Sequence, residues 1–153
     1  MFAKKEDGLS LSLIFSHAEP ETVQKLLAEG ITVELAELLR VFPLAMAAWG
    51  DGHLDARERE AFASAAEDVG ISLANSPFSK WLTMAPTAAD KDQWVKAANR
   101  MCGLIPNKEK AAFLQSIFTP AWQVAKASGG TSDLSSISAS EFRIIKELRL
   151  LID

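Results

Sequence analysis

The chain has 153 residues, of which 48% are hydrophobic and 24% charged, with a formal net charge of −4. That length suffices for one domain with a real core, and the acidic balance argues against a nucleic-acid partner, which would need a positive face. The single cysteine, Cys102, rules out an intrachain disulfide and fits a reducing compartment.

Met101, Leu104 and Ile105 surround Cys102 in sequence and mark it as a packed thiol rather than a nucleophile. No stretch approaches the roughly 20 apolar residues of a membrane span. The apolar run from Leu9 to Phe15 is short and interrupted by Ser10 and Ser12, a poor signal peptide. A soluble cytoplasmic protein without a transmembrane segment is the expectation.

In chain order, residues 1–8 are charged and read as a flexible N-terminus, and residues 9–153 read as a single helical domain. Leu9 to Phe15 predicts a short helix. Pro20 with Glu21 beside it is a helix start, and Gly30 is the stop. Thr32 is placed to cap a helix from Val33 to Trp49, in which no polar side chain appears between Arg40 and Asp51. A helix apolar on all sides is buried on all sides, so this one is expected at the centre. Pro43 should kink or restart it.

Gly50-Asp51-Gly52 is a turn signal. Asp55-Ala56-Arg57-Glu58 then resembles a capping box with Asp as the cap, opening a helix that turns Phe62, Ala65, Ala66 and Val69 inward and ends at Gly70. Ser76-Pro77 starts a short helix through Trp81 and Met84. Thr87 to Asp90 is another capping pattern, followed by a helix to about Gly103 with Trp94, Val95, Ala98 and Met101 on one stripe. Lys108 to Ala127 predicts a long helix with Phe113, Leu114, Ile117, Phe118, Ala121 and Trp122 on its core face and Pro120 inside it. Ser138 to Glu141 caps a last helix, Phe142 to Leu151. No segment reads as a strand. The expected class is all-α, with about seven or eight helices.

The two proline-bearing helices and the segments after them suggest an internal repeat. Leu54 and Ile137, Asp55 and Ser138, and Glu58 and Glu141 share one offset. Each half reads as helix, glycine turn, aliphatic residue, cap and helix, and two such hairpins would bury their faces against each other.

The chemistry-bearing candidate is the acidic turn. With Gly52 at the sixth position of a calcium loop, Asp51, Asp55 and Glu58 fall on ligand positions, but Ala47 and Trp49 occupy the first and third. An ordinary EF-hand does not fit. Three carboxylates, Asp51, Asp55 and Glu58, could still supply a weak site for a divalent ion of Ca or Mg type, with Asp133 and Glu141 from the second half as secondary ligands. The competing reading is structural. Gly50 and Gly52 permit the turn, Asp55 caps, Glu58 completes the box, and only Asp51 is left over. His53 has no second His or Cys at helical spacing, which argues against zinc. No phosphate-binding loop, nucleophile elbow or triad pattern is present. Two basic clusters, Lys108 with Lys110 and Arg143 with Lys146 and Arg149, are interleaved with Glu109, Glu141 and Glu147 and read as solvated faces.

Ala48-Trp49-Gly50-Asp51-Gly52, followed by Leu54, Asp55 and Glu58, resembles the TerB-like family, associated with tellurite resistance. Asp51, Gly52, Leu54 and Glu58 match that family's turn motif, whereas Trp49 and Gly50 depart from it. The second half carries Gly130 and Ser135 where an Asp-Gly would stand. The resemblance implies an all-helical bundle with an internal repeat. It also implies a cytoplasmic, non-enzymatic stress-response role, linked to a metal ion and to protein partners at the membrane face. The alternative is a helical protein–protein interaction module with a purely structural acidic turn.

Overall fold

The computed structural model describes residues 18–50, 52–128 and 146–150. The expected helices at Leu9–Phe15 and Phe142–Leu151 lie outside those residues, apart from the helical residues 146–150, as does most of the proposed second half of the repeat. The described chain is all-helical, with no strand. Its α-helices are α1 (Pro20–Ala28), α2 (Val33–Ala48), α3 (Ala56–Asp68), α4 (Ala88–Leu104) and α5 (Asn107–Ser128). Two short 3-10 turns, η1 (Leu73–Asn75) and η2 (Pro77–Leu82), join α3 to α4.

Local chemistry sets most of these boundaries. Pro20 occupies the first position of α1, where its missing N–H costs nothing. The Thr32 hydroxyl accepts from the Leu35 amide at 3.1 Å and starts α2. Ser76 caps η2 by accepting from Phe78 N–H at 3.0 Å. Thr87 and Asp90 form a reciprocal capping box at α4. Gly30 and Gly70 follow α1 and α3 with φ of +85° and +88°, where a side chain would be strained.

Helix α2 is central. It packs on α5, α3 and α4 and touches η2, and Leu39, Val41, Phe42 and Leu44 are fully buried. Burying each such side chain contributes about 1.5–3 kcal/mol. Phe42 stacks on Trp94 with ring centroids 5.6 Å apart and meets Trp81 edge-on at 5.7 Å. Trp94 in turn meets Phe118 of α5 at 6.3 Å, so one aromatic chain ties α2, η2, α4 and α5 together.

Pro43 neither restarts nor ends α2, which is continuous from Val33 to Ala48. A proline leaves the carbonyl four residues earlier without its helical donor. Here that carbonyl belongs to Leu39, and the Trp94 indole N–H donates to it at 3.0 Å. Helix α5 is likewise continuous through Pro120. The segment after Ser76 forms a 3-10 turn rather than an α-helix and stops at Leu82, which leaves Met84 exposed.

Candidate functional site: the acidic turn

The turn between α2 and α3 is built from both helix ends. The Trp49 amide closes α2 on the Ala45 carbonyl at 2.9 Å, and Gly52 N–H donates to the Trp49 carbonyl at 2.8 Å. Gly52 has φ of +86°, the left-handed conformation that favours glycine. Asp55 then caps α3. Its Oδ1 accepts from Glu58 N–H at 2.8 Å, and Glu58 Oε1 accepts from Asp55 N–H at 3.0 Å. Two N-terminal amides of α3 are thereby satisfied, with negative charge at the positive end of the helix dipole. Glu58 is only 2% exposed.

The residues flanking the turn reach across to η2. The Trp49 indole N–H donates to the Trp81 carbonyl at 2.8 Å. The Arg59 Nε–H donates to the next carbonyl, Leu82, at 3.1 Å. One donor on each side of the turn therefore holds two consecutive carbonyls at the C-terminal end of η2. Sequence reading missed this clamp, because the donors and acceptors lie far apart in the chain and neither Trp49 nor Arg59 carries a local signal for it.

Of the candidate metal ligands, Asp55 and Glu58 are brought together in the capping box. Asp51, Asp133 and Glu141 lie outside the described residues. Ala47 lies inside α2 and Trp49 is its C-cap, as the calcium-loop comparison expects. His53 is exposed. Among the described residues, no three His, Cys, Asp or Glu side chains are gathered in a way that would hold a metal ion. Cys102 is buried, as expected of a packed thiol.

Other ionisable groups serve packing. Burial works to raise the Asp90 carboxyl pKa. Hydrogen bonds from Thr87 and the Trp81 indole, with the charge of Lys80 3.5 Å away, outweigh it and hold the group below its ordinary value. Glu37 is pushed up by burial and, secondarily, by the charge of Glu34. Burial alone brings Arg40 down to about 10. Glu109 corrects the reading of a solvated face. It is 7% exposed, and its carboxylate accepts from the Glu19 amide at 2.9 Å and from the Thr22 hydroxyl at 2.8 Å. It thus caps the start of α1 from another helix.

A concave region lies along α5, with a volume of about 580 Å³. Leu114, Phe118 and Trp122 line it on one side, and Lys146 and Arg149 on the other. Leu114 and Trp122 are half-buried rather than fully in the core.

Protein-family models, curated proteins and solved structures contain no match to this chain. What the described residues define is an all-helical bundle in which Asp55 and Glu58 cap α3 and Trp49 and Arg59 tie the flanks of the turn to η2. No helix among the described residues is long and apolar enough to cross a membrane.

Proposed function

We propose that this chain is a non-enzymatic, cytoplasmic helical domain of TerB-like type that works through protein contacts, with the acidic turn as a structural unit. One observation carries this reading. The two described carboxylates of the turn, Asp55 and Glu58, satisfy each other's backbone amides at the start of α3. The clamp from Trp49 and Arg59 onto η2 gives the whole turn a role in packing.

A second reading rests on Asp51, the one acidic residue of the turn that the capping box does not use. In it, Asp51, Asp55 and Glu58 hold a hard divalent ion of Ca or Mg type, and the domain takes part in a metal- or tellurite-type stress response. Thermal unfolding of the metal-free protein with and without millimolar Ca²⁺, Mg²⁺ or Mn²⁺ separates the two. A ligand that binds only the folded state raises its stability. The structural reading expects one melting temperature under all conditions. A cation-dependent rise that disappears in Asp51→Ala would establish the second reading instead.

A further inference from the structure

We propose that the groove along α5 is the docking site for an acidic amphipathic helix of a partner protein, an assignment that rests on the interaction-domain reading above. Leu114, Phe118 and Trp122 follow one another at four-residue spacing and form an apolar floor. From Ala111 to Trp122 this floor runs about 16 Å, at the rise of an α-helix. Three turns of a partner helix match that length, with apolar anchors one turn apart.

Charge selects the partner. The chain as a whole is acidic, with net charge −4, yet the two charged residues in the described lining of the groove are both basic. On α5, Lys108, Lys110 and Lys126 are the cations, and the single acid, Glu109, is buried against α1. Lys146 and Arg149 stand on the opposite wall, one helical turn apart; the exposed Glu147 lies between them in sequence but is not among the described lining residues. A helix with apolar anchors and flanking Glu or Asp complements both features, and the flanking charges would set its orientation and speed its approach.

The concave shape favours a helix over an anionic membrane surface. A bilayer is met by apolar side chains that project outward. Phe118, in the floor, is only 6% exposed. The large hydrophobic side chains that do project among the described residues, Met84 and Leu150, do not line the groove.

The test uses the full chain and three probes. Two are fluorescein-labelled model helices with the same leucine face, one flanked by glutamates and one by lysines, read by anisotropy. The third is a vesicle of phosphatidylglycerol and phosphatidylcholine, read by co-sedimentation. The glutamate peptide is expected to bind at least about tenfold more tightly than the lysine peptide. The double variant Lys146→Glu/Arg149→Glu, checked for folding by its thermal transition, should reverse that order. Equal binding of the two peptides, binding of neither, an order unchanged by the charge reversal, or binding to vesicles alone would overturn the assignment. Loss of the peptide preference with no cation response removes this site only. A cation response that depends on Asp51 removes the underlying interaction-domain reading.

Discussion

The Trp94 indole donates its N–H to the Leu39 carbonyl, the acceptor that Pro43 leaves without a helical donor. A break expected inside α2 is repaired from α4, and the repair lies in the centre of the core. Trp94→Phe should destabilise the protein by about 2–3 kcal/mol, because a buried carbonyl loses its partner and the core loses volume. Pro43→Ala restores a backbone donor to Leu39. In that background Trp94→Phe should cost less, with a coupling of about 0.5–1 kcal/mol or more in a double-mutant cycle. Urea denaturation of the four proteins measures it, and strict additivity would show that Trp94 acts through packing alone.

Asp90 gives the fold a defined response to acid. Its pKa is held below the ordinary carboxylate value in the folded state, so the unfolded chain takes up the proton first as pH falls. The stabilisation is complete above the unfolded pKa of about 3.9 and is lost as pH drops through the lower folded value. Asp90→Asn should cost about 1 kcal/mol at neutral pH, and the gap to wild type should close below about pH 4. Denaturation midpoints of both proteins across that range check the sign. A gap that is constant with pH would mean that the charge of Asp90 plays no part.

Glu109 joins the start of α5 to the start of α1 through Glu19 N–H and the Thr22 hydroxyl. Helix α1 otherwise packs chiefly on α4. Glu109→Ala should therefore loosen α1 more than the rest of the bundle, at a cost of about 2–3 kcal/mol. Hydrogen exchange should show α1 amides losing protection while those of α2 keep theirs. Uniform loss across all helices would contradict a local tether.

The capping box predicts a graded series at each of its two positions. Asp55→Ala should cost about 1 kcal/mol, whereas Asp55→Ser, which keeps a capping oxygen, should cost only a few tenths. Glu58→Gln keeps an acceptor for the Asp55 amide and should be milder than Glu58→Ala. Thermal unfolding orders the four variants. If Asp55→Ser were as damaging as Asp55→Ala, the carboxylate itself would be required and capping would not explain the site.

The features legible in the sequence were the local ones. Thr32, Asp55, Ser76 and Thr87 bond to amides two or three residues away, so their roles follow from spacing. The apolar run after Arg40 announced a central helix because a segment with no polar face has nowhere else to lie. Long-range bonds left no such trace. Trp94 rescues Leu39 from another helix, Arg59 reaches the Leu82 carbonyl, and Glu109, which sequence placed on a solvated face with Lys108 and Lys110, is turned inward to α1. Helix type after Ser76 also escaped, since a single turn's pattern does not separate a 3-10 turn from an α-helix. The acidic turn divides in the same way. Asp55 and Glu58 could be assigned from their spacing, whereas the clamp onto η2 could not.

Whether the turn is structural is decided most directly by calorimetric titration of the metal-free protein with Ca²⁺, Mg²⁺, Mn²⁺ and Zn²⁺, repeated on Asp51→Ala. The structural account predicts no binding heat from any of the four ions in either protein. A hard-cation isotherm in the wild type that is lost in Asp51→Ala would contradict it and make the turn a ligand site.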